Sequence, residues 1–263
     1  MTAEPALVAS KHTLENVTEQ AAAWAAAWQD GSPQEILAQA LAHLGDRVAL
    51  AASFGAEDMV LIDMLYRLQP TARVFTLDTG RLPYETYDLM ATVQARYPEL
   101  RLRVLYPDTA AVEEMVQTHG INLFYESVEN RKRCCYVRKV EPLGRALADL
   151  DGWITGLRRE QTANRATMAV VEPDTDKQSD RPIFKFNPLL AWTWEQVWDY
   201  LKTHEVPYNA LHDRGYPSIG CAPCTRAVAP DEDPRAGRWW WEQDNRECGL
   251  HVTADGRLVR AKG

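Results

Sequence analysis

Four of the five cysteines form two close pairs, a spacing typical of metal sites. Cys134 and Cys135 are adjacent, and Cys221 and Cys224 are separated by two residues. Four thiolates can hold tetrahedral zinc or a [4Fe–4S] cluster. Adjacent cysteines on a helix project about 100° apart, which suits the separate iron corners of a cluster better than one small ion. We therefore predict that these cysteines bind a [4Fe–4S] cluster, with zinc binding and core packing as the alternatives.

The fifth cysteine, Cys248, lies near the C-terminus with no other cysteine close in sequence. Arg246 and His251 flank it and would favour its thiolate, which is the nucleophilic form. Gly249 would let the chain bend so that the sulfur enters a pocket. Because a single cysteine in a tail is more often incidental, position alone makes Cys248 only a candidate nucleophile.

Several segments of the sequence could bind an anion. Residues 53–58 form a turn before a predicted helix, and the N–H groups at a helix N-terminus attract anions. The turn is no Walker loop, because the glycine–lysine ending is missing. Arginine binds phosphate and sulfate through a planar fork, so loop arginines in an acidic chain indicate a small polyanionic ligand. These arginines are Arg158, Arg159, Arg165, Arg235 and Arg238.

Alternating strands and helices must bring these segments together. Apolar periodicity predicts strands over residues 48–54, 73–77, 101–106 and 153–157, and helices over 21–28, 36–44, 57–68, 84–96, 110–118 and 194–203. This alternation predicts an α/β fold with a mostly parallel twisted sheet and helices on both faces. Ligands of such sheets bind beyond the carboxyl ends of the strands. Ser53, Asp78 and Gly156 fall at those ends, so we expect them to face one crevice.

Two segments lack a clear period. Residues 158–180 are polar, and we predict a mobile loop over the crevice. From residue 216 onward the chain is rich in Pro, Gly, Cys and Arg, which is typical of a functional tail. Of the three tryptophans at 239–241, we expect at least two to pack and not to stack on a base.

The overall composition excludes several classes of protein. The 263 residues carry a net charge of −8, which argues against a nucleic-acid or membrane-surface protein. No apolar run is long enough to span a membrane. The N-terminus does not resemble a secretory signal, so we expect a cytoplasmic location. Thiols stay reduced there, which favours metal binding or catalysis over disulfides.

Together these segments resemble the assimilatory adenylyl-sulfate (adenosine 5′-phosphosulfate, APS) reductases, the iron–sulfur branch of the sulfonucleotide reductases. The resemblance covers about residues 45–252. It implies an adenine nucleotide α-hydrolase-like fold, related to the PP-loop ATP pyrophosphatases. Turn 53–58 departs from their Ser-Gly-Gly-x-Asp-Ser loop, so ATP cleavage is not expected. The motifs are residues 53–58, Leu77-Asp78-Thr79-Gly80-Arg81, Cys134-Cys135-x-x-Arg138-Lys139, Gly156-Leu157-Arg158-Arg159-Glu160-Gln161, Cys221-x-x-Cys224 and Glu247-Cys248-Gly249-Leu250-His251.

The resemblance also implies a mechanism. The Cys248 thiolate would attack the sulfate sulfur of APS and release AMP, leaving an S-sulfocysteine. Thioredoxin, or a glutaredoxin-like reductant, would then attack the Cys248 sulfur and release sulfite. Residues 1–230 would form the nucleotide-binding reductase domain with the iron–sulfur site, and 231–263 a mobile tail carrying the nucleophile. Homo-oligomers are implied as well. The substrate-binding residues implied by the family pattern are Ser53, Asp78, Lys139, Gly156, Arg165, Arg235, Arg238 and His251.

Three other functions stay open at this point. The first is reduction of the 3′-phosphorylated substrate, phosphoadenylyl sulfate (PAPS), although enzymes for that substrate usually lack the two cysteine pairs. The second is an ATP-dependent adenylating or thiolating enzyme on the same fold. The third is a zinc-stabilised nucleotide-binding regulator without turnover.

Overall fold

The computed structural model describes residues 13–162, 165–175 and 179–242, and in this part of the chain six strands form one sheet. The strand order is β3-β2-β1-β4-β6-β5. All neighbouring strands are parallel except β5, which pairs antiparallel with β6 at one edge. The mostly parallel sheet predicted from the sequence is thus confirmed. The strands are β1 Val48–Ala51, β2 Arg73–Leu77, β3 Arg101–Leu105, β4 Gly152–Ile154, β5 Val171–Thr175 and β6 Pro182–Phe186.

Helices cover both faces of this sheet. A π-helical segment, Tyr136–Val140, continues α6 into α7. Two helices begin with a capping box, in which the N-cap residue and the third helical residue exchange hydrogen bonds. The pairs are Ser32 and Glu35 at α2, and Thr193 and Gln196 at α8. The helices are α1 Leu14–Trp28, α2 Pro33–Leu44, α3 Ala56–Leu68, α4 Tyr84–Arg96, α5 Thr109–His119, α6 Val128–Cys135, α7 Glu141–Leu147 and α8 Trp194–Thr203.

Two apolar cores hold the layers together. The larger core packs α1–α4 and α8 on one face, where Leu50 and Phe186 from the sheet meet Ile62 of α3. The smaller core lies on the other face of the sheet, where Leu147 of α7 packs in one cluster with Phe75 and Ile183 of the strands. Burial on both faces explains why the central strands β1 and β4 are wholly apolar.

Residues 158–180 differ from the prediction of a loop without regular structure. They contain β5, whose Val171 pairs with Phe186 of β6. β6 was not predicted either. The strand β5 lacks an apolar period because it lies at the sheet edge, where Pro173 is tolerated. The predicted strand 48–54 is also shorter in the structure, since the chain turns at Phe54, which has a φ of 62°.

No helix within the described residues has the length and hydropathy that crossing a membrane requires.

Candidate functional site

A cleft of about 630 Å³ opens at the carboxyl ends of β1, β2 and β4. Strand β1 leads to β2 on one side and is bordered by β4 on the other, and parallel sheets bind ligands at such a point. The sequence prediction of one crevice is therefore confirmed for Ser53 and Gly156, which both line the cleft. Other lining residues are Gly55, Leu77, Thr79, Lys139, Thr155, Leu157, Arg165, Arg235 and Arg238.

Turn 53–58 directs its hydrogen-bond donors at a carboxylate of the chain itself. The backbone N–H and the hydroxyl of Ser53 donate to Asp58 Oδ2 over 2.6 and 2.8 Å. Burial raises the pKa of Asp58 to about 6, although the hydrogen bonds from Ser53 oppose the shift and the charge of Glu57 adds to it. The expected anion-binding turn is present, and the carboxylate of Asp58 accepts both hydrogen bonds that Ser53 donates there.

Gly156 leaves room for this turn. A Cβ atom at residue 156 would lie 2.6 Å from Asp58 Oδ1 and 3.0 Å from Glu57 Cβ. Only a glycine permits the segment after β4 to pass so close to the start of α3. The backbone at Gly156 consequently forms part of the cleft wall.

Asp78 is placed behind the cleft surface. Its Oδ1 accepts hydrogen bonds from the N–H of Gly80 and from the hydroxyl of Tyr87, each over 2.8 Å. These bonds shape the turn after β2, in which Gly80 has a φ of 70°. Its neighbours Leu77 and Thr79 line the cleft instead, so direct contact between Asp78 and a substrate stays a prediction.

The cleft is lined by four cations that the family pattern assigns to the substrate, Lys139, Arg165, Arg235 and Arg238, and also by Arg158. Arg238 lies close to Gly220 and donates to the carbonyl of Ile219 over 3.2 Å. Its guanidinium also lies 4.9 Å from the ring centre of Trp239, a cation–π contact. The cations therefore converge on one cleft, as expected for a polyanion site.

A hydrogen-bond relay that the sequence did not reveal holds one of these cations. Glu57 Oε1 accepts from Arg158 Nε over 2.9 Å and from Gln161 Nε2 over 2.8 Å. The other side-chain atom of Gln161, Oε1, accepts from Arg165. Arg158 is thus paired with carboxylates, while exposed Arg159 donates to the carbonyl of Met168. Gln161 falls in a motif noted from sequence, but nothing there gives its partner.

The two cysteine pairs border a second, small cavity next to the cleft. Cys134 and Cys135 end α6, and the Cys221–Cys224 segment is held against the β2 loop. Ala222 N–H donates to the carbonyl of Arg81 over 2.8 Å. Thr79 Oγ1 lies 3.2 Å from Cys221 Sγ. The predicted convergence of residues far apart in sequence is therefore present.

The thiols differ in their electrostatic surroundings. Burial raises the pKa of Cys224 to about 12, and the neighbouring Cys221 adds to the increase. Burial likewise raises the pKa of Cys134, although Arg138 opposes it. Burial would also raise the pKa of Cys221, but Lys139 and the Thr79 hydrogen bond outweigh it and leave the pKa lowered. The cations around this cavity thus oppose the effect of burial on the thiols, and only at Cys221, together with the Thr79 hydrogen bond, do they outweigh it.

The two cysteine pairs supply the donor type that an iron–sulfur cluster uses, and the cluster itself stays a prediction. Four cysteines are the usual ligands of a [4Fe–4S] centre, and nearby cations offset the negative charge of the thiolates. Among the described residues, no group of three or more His, Cys, Asp or Glu side chains is arranged to hold a metal ion. Lys139 and Arg238 line both this cavity and the cleft, so they lie between the two sites.

Cys248 and His251 lie outside the described residues, as does most of the predicted tail 231–263. The described part of it, 231–242, packs on the domain. Trp239 is buried beside Cys134 and Cys224, and Trp241 packs at the edge of the same cluster, whereas Trp240 is exposed. The prediction that at least two of these tryptophans pack is confirmed.

Comparison with known proteins decides the family. The model of the phosphoadenosine phosphosulfate reductase domain matches residues 47–227, a range that contains β1, the turn after it and both cysteine pairs. The chain belongs to this family. Its relatives are therefore sulfonucleotide reductases, as the sequence resemblance implied.

Several relatives of this reductase are similar over most of their length. APS reductase of Burkholderia cepacia is 51% identical, covering 81% of this chain and 85% of the relative. APS reductase of Allochromatium vinosum is 48% identical, covering 82% and 83%. Phosphoadenosine 5′-phosphosulfate reductase of Gloeobacter violaceus is 43% identical, covering 95% and 98%.

Solved structures agree with this membership. PAPS reductase from Candida auris, in complex with phosphate, has a TM-score of 0.66 and 30% identity, covering 80% of this chain and 97% of that one. FMN adenylyltransferase from Candida glabrata, with a TM-score of 0.52 and 14% identity, covers 90% of this chain and 76% of its own, and shares the fold alone. The predicted relation to nucleotide-binding α/β folds is confirmed.

Proposed function

We propose that this protein reduces adenosine 5′-phosphosulfate to sulfite and AMP in assimilatory sulfate reduction, the route to cysteine. The observation that carries the proposal is the position of Lys139 and Arg238, which border both the nucleotide-sized cleft and the four-cysteine cavity. Relatives at 46–51% identity are named APS reductases, which supports the same substrate.

The first step is nucleophilic. The Cys248 thiolate attacks the sulfate sulfur, the bond from sulfur to the AMP phosphate oxygen breaks, and AMP leaves with the electron pair. An anion approaches an anion in this step, so positive charge must surround the sulfate. Lys139, Arg235 and Arg238 line the cleft and supply it, and His251 is assigned there with them.

The second step needs a thiol from another protein. The thiolate of thioredoxin, or of a glutaredoxin-like reductant, attacks the Cys248 sulfur, and sulfite leaves with the electron pair of the sulfur–sulfur bond. The second thiol of that reductant then releases Cys248 by forming its own disulfide. The other four cysteines are grouped around the small cavity, which supports an external source for the second thiol.

The cysteine cavity is proposed to hold a [4Fe–4S] cluster through Cys134, Cys135, Cys221 and Cys224. When bound, the cluster would supply fixed charge and rigidity beside the cleft, without taking electrons from the substrate. Lys139 lines both the cysteine cavity and the cleft, so it can orient the sulfate from this side. Cytoplasmic location and homo-oligomers stay predictions.

Sulfite formation tests the function. With APS and reduced thioredoxin, the wild-type protein should form sulfite, and Cys248→Ser should form none. Sulfite formation by the Cys248→Ser variant at the wild-type rate would disprove the assigned nucleophile.

Iron content tests the cofactor separately. Cys221→Ser should lose most of the bound iron and its visible absorption, because one of four ligands is removed. Cys248→Ser is the matched control and should keep both. Zinc in place of iron in the wild-type protein would refute the cluster.

Reduction of PAPS is the second candidate function, favoured by the Gloeobacter violaceus relative at 43% identity. Comparison of kcat/KM for APS and PAPS decides between the two. A higher value for PAPS would replace the proposed substrate while leaving the chemistry of Cys248 unchanged.

A further inference from the structure

The last described residues connect the cysteine cavity to the chain that carries Cys248. Trp239 is 1% exposed, and its backbone N–H donates to the carbonyl of Cys224 over 3.2 Å. The centre of its ring lies 4.8 Å from the guanidinium of Arg131 and 4.9 Å from that of Arg238. This tryptophan thus contacts both α6 and a cation of the cleft.

Three residues later, Glu242 forms a buried ion pair with Arg131. Arg131 Nε and Nη2 donate to the two carboxylate oxygens over 2.8 and 2.9 Å. The side chains are only 3% and 5% exposed. A bidentate pair fixes both position and orientation, and breaking a buried pair by removing one partner is costly. The backbone is therefore held firmly at residue 242.

Geometry limits where Cys248 can then go. Six peptide links separate Glu242 from Cys248. At the full extension of a chain, these links span about 20 Å. The chain length therefore limits how far Cys248 can lie from Glu242, whose partner Arg131 lines the cysteine cavity together with Lys139 and Arg238. Such confinement raises the effective concentration of a nucleophile at its target.

We propose that the Arg131–Glu242 ion pair is the anchor of the catalytic tail, and that both are positioning residues for Cys248. This proposal rests on the proposed function, in which Cys248 must reach the sulfate. Arg131 is on α6 three residues before Cys134, so the helix that supplies two of the four cysteines also fixes the start of the tail. A buried apolar pair would fill the same space, but only the bidentate pair sets an orientation.

The test separates positioning from binding. In Glu242→Gln, the rate constant for S-sulfocysteine formation in a single turnover with saturating APS should fall about tenfold or more. The Kd of AMP and the iron content should stay within about twofold of wild type, since Glu242 itself lines neither the cleft nor the cysteine cavity and reaches the cavity only through Arg131. The matched control is Glu232→Gln, which weakens a partly exposed pair with Arg226 nearby and should leave all three unchanged.

A second measurement is independent of activity. Trypsin cleaves after Arg246, and a backbone held at residue 242 resists the local opening that cleavage needs. Cleavage there should become faster in Glu242→Gln but not in Glu232→Gln. The anchor would be overturned if Glu242→Gln kept the cleavage rate and the single-turnover rate of wild type. It would also be overturned if AMP affinity and iron content fell as much as the single-turnover rate. If wild type forms no S-sulfocysteine, the proposed function fails, and the cleavage rates still decide the anchor.

Discussion

The carboxylate of Asp58 accepts hydrogen bonds from both the backbone N–H and the hydroxyl of Ser53, over 2.6 and 2.8 Å. The turn between them lies at the N-terminus of α3, where free N–H groups favour an anion. The chain therefore fills its own anion site with a side chain from the same helix. This arrangement agrees with a cleft that faces a nucleotide without cleaving its pyrophosphate.

Removing the carboxylate should open the turn to phosphate. In Asp58→Ala, Ser53 regains two donors and the repulsion of a nearby negative charge is lost. We expect the affinity for inorganic pyrophosphate to rise about tenfold, which corresponds to about 1.4 kcal/mol. Isothermal titration calorimetry measures the change, and an affinity equal to that of wild type would contradict it.

Asp63→Asn is the control for this substitution. Asp63 is buried on the same helix but accepts from Tyr97 and Tyr200 on the side away from the cleft. Its replacement should lower the free energy of unfolding, because hydrogen bonds to a buried charge weaken. It should leave the affinity for pyrophosphate unchanged.

The pH dependence of stability should also depend on Asp58. Its pKa rises on folding from 3.8 to about 6, so the native state binds more protons than the unfolded state between these values. The contribution of Asp58 to the free energy of unfolding therefore falls as pH rises through this window, by about 3 kcal/mol in total. Asp58→Asn should gain stability relative to wild type from pH 4.5 to 7. Urea unfolding measures it, and a constant difference would contradict the assignment.

The sequence predicted the parts of the site that local pattern determines. Ser53 and Gly156 follow apolar strands, and strand ends of a parallel sheet meet at one edge. The cysteine pairs were recognisable because their spacing is that of ligands. Asp78 shows the limit of this reasoning, since a position at a strand end did not reveal that its carboxylate would bind Gly80 and Tyr87.

The features that the sequence did not predict depend on contacts between segments that are far apart in the chain. Strand β5 forms because β6 offers an edge, and its own residues carry no apolar period. Glu57 and Gln161 are separated by 104 positions, and only the fold shows that they share a hydrogen bond. Propensity and spacing describe neighbours along the chain, whereas these features depend on tertiary packing.

The Glu57–Gln161 relay should control the binding of substrate through Arg165. In Gln161→Ala, Arg165 loses the acceptor Oε1 of Gln161, and Glu57 loses the donor Nε2 of Gln161. We expect KM for APS to rise about tenfold with a smaller change in kcat, because a binding cation is displaced and the nucleophile is untouched. Steady-state kinetics measures this difference.

Arg159→Ala is the control for the relay. Arg159 is close to Gln161 in sequence, but it is exposed and donates to the carbonyl of Met168. Its replacement should leave KM within about twofold of wild type, as is usual for surface substitutions. Equal effects of the two variants would show that the relay does not position Arg165.

Gly152, at the start of β4, and Gly156, just after its end, test whether the space beside turn 53–58 matters for binding as well as for folding. A Cβ at Gly156 would meet Asp58 Oδ1 at 2.6 Å, and one at Gly152 would meet Leu44 Cδ1 at 2.7 Å. Both alanine variants should lose about 1–3 kcal/mol of the free energy of unfolding, since each overpacks a closed site.

Only Gly156→Ala should weaken AMP binding, because residue 156 lines the cleft and a methyl group there pushes on Asp58. Gly152 lies at the other end of β4, where it faces Leu44 and Phe186, and its variant should bind AMP with the wild-type Kd. Unfolding by urea and titration with AMP, performed on both variants, separate the two effects. If Gly152→Ala weakened AMP binding as strongly, overpacking of the sheet and not the space beside Asp58 would be the cause.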